Sequence, residues 1–244
     1  MIAIKTLDLE KRYREKIAVN KINLSIKQGE LFSLLGENGA GKTTAIKMLS
    51  CLCPPSGGDA FILGHSVVKS PLAVKKKISI SPQETAVAPN LTVEENLQLI
   101  AELHGESRKA AVERTREMIE IFDLREVVKK RAKILSGGWQ RRLSIAMAFI
   151  SRPQVLYLDE PTLGFDVIAR RALWGLIQNI KGKITIILTT HYLEEAAALS
   201  DRIGIMAEGK LKALGTVGEL MDCTGTPNLE EAFIALAAKG GHQG

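Results

Sequence analysis

The apolar run Leu31–Leu35 leads straight into Gly36-Glu37-Asn38-Gly39-Ala40-Gly41-Lys42-Thr43, and Lys42–Leu52 then shows helical periodicity. This is the pattern G-x-x-x-x-G-K-[ST] in its required setting of strand, loop and helix. Glycines ahead of an apolar-periodic helix leave backbone N–H groups bare at its N-terminus, and such a terminus attracts anions. Amides between Glu37 and Thr43 would wrap a β-phosphate, with Lys42 reaching the β/γ oxygens and the Thr43 hydroxyl binding Mg²⁺. An ordinary glycine turn is the bland alternative; the flanking strand and helix argue against it.

A second glycine-rich helix start, Leu135-Ser136-Gly137-Gly138, follows about a hundred residues later. One such site explains a nucleotide. Two suggest that each half of a composite site is carried on one chain.

At 244 residues the chain suits one α/β domain, or one with a subdomain, and is ample for a buried core. No apolar stretch approaches the roughly 20 residues needed to span a bilayer. Met1-Ile2-Ala3-Ile4-Lys5 reads as a strand and lacks a signal-peptide pattern, so a cytosolic chain is expected unless a partner holds it at a membrane. Residues 106–152 carry 12 Lys/Arg against 6 Asp/Glu, which equals the whole formal surplus of +6. These charges are interleaved and lack aromatic partners, so they read as a solvated helical face, with a face near a membrane surface as the alternative. Cys51 and Cys53 have no nearby third ligand, and with Cys223 they are expected to be reduced thiols rather than a metal site.

Alternation in Ile2–Leu9 and Val19–Ile26 predicts two early strands paired antiparallel, and Pro54-Pro55-Ser56-Gly57-Gly58 separates the first helix from a strand at Ala60–Leu63. Another short strand is predicted at Ile78–Ser81. Thr92-Val93-Glu94-Glu95 opens a helix with a capping-box pattern, and Arg108–Phe122 reads as a second amphipathic helix. Residues 85–150 are therefore expected to form a mostly helical subdomain inserted between core segments at about 1–84 and 151–222. After it come strands at Val155–Leu158, Ile184–Leu188, Arg202–Met206 and Lys210–Ala213. Helices are expected at Val167–Ile180, Leu193–Ala198, 216–222 and 229–238, with a frayed tail over 240–244. The alternation implies an α/β fold with a largely parallel sheet, joined by a small antiparallel β subdomain.

Val155-Leu156-Tyr157-Leu158-Asp159-Glu160 is an apolar strand ending in two carboxylates, at the edge where parallel sheets bind ligands. Asp159 suits a Mg²⁺ shell and Glu160 could polarise an attacking water. His191 follows the strand Ile184–Leu188 and could hydrogen-bond a γ-phosphate from the same edge, with a helix-capping histidine as the bland reading.

This order of motifs resembles the nucleotide-binding subunits of ATP-binding cassette (ABC) transporters over about residues 1–235, with the P-loop NTPase core of that family. Leu135-Ser136-Gly137-Gly138 is similar to the family signature, Gln83 to its Q-loop, Leu163-Gly164-Phe165-Asp166 to its D-loop, and His191 to its switch histidine. The resemblance implies that Gly36 to Thr43 with Thr44 hold ATP, that Lys42, Gln83, Glu160 and His191 act in hydrolysis, and that Thr43, Gln83 and Asp159 surround Mg²⁺. Tyr13 matches the aromatic that stacks on adenine. Ser136 and Gly138 would bind the γ-phosphate held by a partner subunit's glycine loop, and Gly137 and Asp166 are counted among the nucleotide-binding residues. Two departures stand out: Trp139 where the signature usually carries Gln, and Gly164-Phe165 where many D-loops carry Ala and Leu.

The resemblance implies an ATPase that dimerises head-to-tail around two ATP and drives a separate membrane permease from the cytoplasmic face. His191-Tyr192-Leu193-Glu194-Glu195-Ala196 and Leu229-Glu230-Glu231-Ala232-Phe233 look like the drug, lipid or ion exporter (ABC-2 type) branch. A soluble cassette acting on ribosomes or nucleic acid is the alternative, but one phosphate loop and the short span from Gln83 to Ser136 do not suit it. A regulatory module that binds ATP without turnover is disfavoured by Lys42, Asp159, Glu160 and His191.

Overall fold

The computed structural model describes residues 1–238, so the tail at 240–244 lies outside the described residues. β1 (Ile2–Tyr13) buries Ala3, Ile4, Thr6 and Leu9, a pattern whose alternation is interrupted by register shifts along the strand. The next segment is expected from its pattern to be one strand, but it is two, β2 (Lys16–Ile22) and β3 (Ser25–Lys27), both antiparallel to β1. Asn23 makes the break: its amide group donates to Asp8 Oδ1 and its Oδ1 accepts from the Asp8 backbone N–H, each at 2.8 Å, where β1 itself turns through a left-handed φ of 47°. A side chain that satisfies backbone groups locally competes with the ladder.

β4 (Leu31–Leu35) is buried at every position, as a strand covered on both faces must be. After the glycine loop, α1 (Lys42–Leu49) ends three residues earlier than its apolar pattern suggests. Ser50 Oγ donates to the Ile46 carbonyl at 2.7 Å and Cys51 takes a left-handed φ of 56°, which stops the helix. β5 (Gly57–Ile62) begins at Gly57 rather than Ala60, since Gly57 pairs with Glu10 of β1. The short β6 (His65–Ser66) and α2 (Pro71–Lys75) lead to β7 (Ile78–Ser81).

Helices α3 (Val93–Leu103), α4 (Arg108–Ile121) and α5 (Gly137–Ile150) come next. Thr92 and Glu95 form a reciprocal capping box at the start of α3. Val93 and Leu97 of α3 and Met118 of α4 share one apolar cluster with Leu143 and Ile145 of α5 and with Leu156 and Leu188 of the following strands. The helical segment is thus packed onto the sheet through α5.

The rest alternates: β8 (Val155–Asp159), α6 (Val167–Ile180), β9 (Thr185–Thr190), α7 (Leu193–Leu199), β10 (Arg202–Ala207) and β11 (Lys210–Gly215), then α8 (Val217–Thr224) and α9 (Leu229–Ala238). The main sheet has the order β11-β10-β4-β9-β8-β7 and is parallel except for β10–β11. The smaller antiparallel sheet runs β2-β1-β5-β6, with β3 beside β1. Parallel register brings Leu35 beside Thr190 and Asp159 beside Thr189. The C-terminal ends of β4, β8 and β9 therefore meet at one edge, where open α/β sheets bind ligands.

Candidate nucleotide site

The loop after β4 has no room for side chains at two of its glycines. A Cβ on Gly36 would stand 2.3 Å from the Met206 carbonyl, and one on Gly41, with φ of 103°, would stand 2.4 Å from the Ala18 carbonyl. Gly39, with φ of 85°, has open space instead, so there only the left-handed backbone asks for glycine. Lys42, 5% exposed, donates to the Gly36 carbonyl at 2.7 Å and the Glu37 carbonyl at 3.1 Å, and pairs with Glu160 Oε1 at 3.1 Å.

The second oxygen of Glu160 lies 2.8 Å from His191 Nδ1. Glu160 itself has a left-handed φ of 46°, an unfavourable state for a side chain with a Cβ. Thr189 holds it there: the Glu160 N–H donates to the Thr189 hydroxyl at 3.0 Å and to its carbonyl at 3.1 Å. The same Thr189 hydroxyl donates to Asp159 Oδ1, which also accepts from Thr43 Oγ1 at 3.0 Å. Both acidic residues are thus fixed by neighbours from the glycine loop's helix and from β9.

A cavity of about 500 Å³ opens over this arrangement, lined by Tyr13, Lys16, Ala18, Asn38, Gly39, Gly41, Lys42, Thr43, Thr44, Gln83, Glu160 and Leu163. Tyr13, 47% exposed, lies at the end of β1, and Lys11 Nζ sits 5.1 Å from its ring centre. Asp159 and His191 are not in the lining; they reach it through Thr43 and Glu160. Glu37 and Ala40 line a neighbouring groove against Phe233 of α9.

Ser136, Gly137, Gly138 and Asp166 also lie outside the cavity lining. Ser136 begins α5 exposed and makes no capping hydrogen bond among the described residues. Asp166 caps α6 by accepting from the Ala169 N–H at 2.8 Å. A Cβ on Gly138 would stand 4.0 Å from Phe165 Cζ, so the start of α5 and the turn 163–166 are neighbours. Trp139 packs on the apolar cluster with the Arg142 guanidinium 4.7 Å from its ring centre. Gln140 holds the turn before α5, its amide donating to the Ala132 and Leu135 carbonyls at 3.1 and 3.2 Å.

Arg141, 4% exposed, is a residue that sequence reasoning missed. Its guanidinium donates to the carbonyls of Pro82, of Gln83 at 2.6 Å and of Glu160 at 3.3 Å. Burial pulls it below its ordinary value, against the pull of the Asp159 and Glu195 carboxylates. Nothing in the sequence separates Arg141 from Arg142; a turn of about 100° per helical residue sends Arg141 to the Gln83 segment and Arg142 across the Trp139 ring toward Asp123. Thr189 and Lys16 were equally silent.

The family profile described as ABC transporter matches residues 19–163. The chain belongs to the ABC transporter family. Phospholipid-transporting ATPase ABCA3 of Homo sapiens is 43% identical over 87% of this ABC chain and 13% of its own length. The daunorubicin/doxorubicin resistance ATP-binding protein DrrA of Streptomyces peucetius is 40% identical over 92% of this chain and 68% of its own. This chain therefore spans from about an eighth to about two thirds of these curated relatives. The solved dimeric ATP-binding cassette MJ0796, in a post-hydrolysis state with ADP and Pi, superposes with a TM-score of 0.79 at 25% identity, covering 87% of this chain and 98% of that one. The P-loop NTPase fold expected from the motifs is the fold observed.

Proposed function

We propose that this ABC domain hydrolyses ATP in a site completed by a second copy, and that it drives a membrane permease, more specifically an exporter. The observation that carries the reading is the convergence on Glu160: Lys42 on one oxygen and His191 on the other, in the cavity lined by the glycine loop. A buried carboxylate fixed at both oxygens, with a lysine placed for phosphate oxygens, suits activation of a water against a phosphoryl group. The names of ABCA3 and DrrA support transport and the exporter branch, and the MJ0796 dimer supports a second nucleotide-binding subunit.

Thr43 Oγ1 and Asp159 Oδ1 form a hard-oxygen pair that suits Mg²⁺, with Gln83 in the cavity lining beside Thr43. The rest of the cation's shell would come from phosphate oxygens and water. When bound, the cation supplies charge neutralisation on the phosphates. Lys42 would exchange the Gly36 and Glu37 carbonyls for β/γ oxygens, Tyr13 would stack on the base, and Glu160 would take the proton of the attacking water while His191 holds its second oxygen. No helix of the described residues is long and apolar enough to cross a membrane. Attachment at the cytoplasmic face through the permease is part of the proposal. We also treat 85–150 as the helical subdomain of one ATPase domain spanning 1–235.

Exposed Ser136 and the neighbouring Gly138 and Asp166 would meet the ATP of the second copy. Mixed dimers test this. With Lys42→Ala on one chain and Gly138→Asp on the other, a shared site leaves one intact ATP site and turnover persists. With both lesions on one chain and a wild-type partner, neither site is intact and turnover is lost. The reverse order overturns the composite site; absence of ATP hydrolysis by the wild-type dimer overturns the ATPase reading.

A further inference from the structure

Glu195 is 0% exposed, and the site as described has no use for it. Its Oε1 accepts from Thr162 Oγ1 at 2.7 Å and from Trp174 Nε1 at 2.9 Å. Its Oε2 is buried and has no hydrogen-bond partner among the described residues. An acid in the interior with part of its acceptor capacity unused costs free energy, and an apolar side chain of similar volume would not. What the carboxyl supplies is direction.

Thr162 lies two residues beyond Glu160, and Glu195 lies four residues beyond His191. Thr189 holds the Glu160 backbone, and His191 reaches its carboxylate at 2.8 Å, so the first residue of the turn is fixed. Thr162–Glu195 at 2.7 Å is the contact that ties the stretch beyond Glu160 to the helix after His191, and it sets the angle at which the turn leaves β8. Trp174 adds a third point from α6, the helix that follows the turn 163–166. Thr162 is itself 1% exposed, so its hydroxyl has no water to turn to if the carboxyl is removed.

We infer that Glu195 is a positioning residue for hydrolysis: it locks the turn 160–166 against the helix that follows His191, and so keeps the Glu160 carboxylate aimed into the cavity. The inference rests on the ATPase reading given above. It concerns the rate of turnover and not the capture of ATP, because Glu195 is absent from the cavity lining.

The experiment compares wild type, Glu195→Gln, Glu195→Ala and Thr162→Val for kcat, for the Kd of a fluorescent ATP analogue, and for the Trp174 indole N–H resonance. Glu195→Ala is expected to lower kcat by about 10- to 100-fold, as small misplacements of catalytic groups do. The Kd should change less than about 3-fold, since the contact is not one made to bound nucleotide. Glu195→Gln keeps a carbonyl acceptor for both donors and should recover most of kcat and the wild-type indole shift. Thr162→Val keeps the carboxyl but removes one donor, and should lower kcat in the same direction.

A kcat for Thr162→Val equal to that of the active wild type overturns the inference, and this holds even if Glu195→Ala does not fold. So does a parallel loss of ATP binding and turnover that Glu195→Gln fails to rescue, which is the mark of a merely structural acid. A wild-type protein that binds ATP without turnover overturns the ATPase reading, and the positioning role falls with it.

Discussion

Lys42 Nζ and Glu160 Oε1 face each other at 3.1 Å with only 5% and 7% of their side chains exposed. The pair joins the end of β4's loop to the end of β8, and each member also has other partners: two carbonyls for the lysine, His191 for the glutamate. Removing one member of a buried pair leaves the other uncompensated, which costs far more than a surface ion pair is worth.

Glu160→Gln is the first consequence to measure. The amide is isosteric and still meets Lys42 and His191, but it cannot accept a proton. Phosphate release should fall by at least about 100-fold, the usual contribution of a general base. Binding of a fluorescent ATP analogue should persist, and size-exclusion chromatography with ATP should show an accumulated dimer. Turnover at the wild-type rate would remove Glu160 from the chemistry.

Arg141 and Arg142 should differ in their effect despite being adjacent. Arg141→Ala strands the carbonyls of Pro82, Gln83 and Glu160 in the interior, and should lower the unfolding free energy by about 3 kcal/mol. Arg142 pairs with the exposed Asp123 and lies over the Trp139 ring, and no buried carbonyl depends on it, so Arg142→Ala should cost about 1 to 2 kcal/mol, less than Arg141→Ala. Equilibrium urea unfolding of the two variants gives the comparison directly.

The glycines of the loop are predicted to fail for different reasons. Gly36→Ala drives a Cβ into the Met206 carbonyl, so the loop must shift and ATP affinity should be lost together with stability. Gly39→Ala has space, and the left-handed φ alone should cost about 1 to 2 kcal/mol. Thermal unfolding and nucleotide titration of both variants separate the two causes.

At the start of α3, the Thr92 backbone N–H and hydroxyl hold the Glu95 carboxyl below its usual value. A folded-state value depressed in this way gives stability that is present above the unfolded value and is lost as pH falls through the folded one. Glu95→Ala should therefore lower Tm at neutral pH, and the difference from wild type should shrink in acid. A Tm difference that stays constant from pH 7 to about pH 3 would discount the carboxylate's part in the cap.

Much of the main sheet was legible because its strands are buried on both faces and end in residues with distinct chemistry: Gly36 after β4, Asp159 and Glu160 around the end of β8, His191 after β9. The glycine pattern places Lys42 and Thr43 unaided. What could not be read was set by contacts distant in sequence. The split at Asn23 depends on Asp8, and the inward turn of Arg141 depends on carbonyls 58 and 59 residues away. Thr189 and Glu195 are ordinary residue types whose roles come only from the segments folded against them.

Arg141 also removes a freedom that the loops would otherwise have. One rigid planar group is shared by the Gln83 segment, the carbonyl of Glu160 and a rod-like helix that begins beside Ser136. A shift of the Gln83 backbone relative to Glu160 would therefore have to bend or break at least one of these hydrogen bonds, at a helix end whose other neighbour is the exposed Ser136.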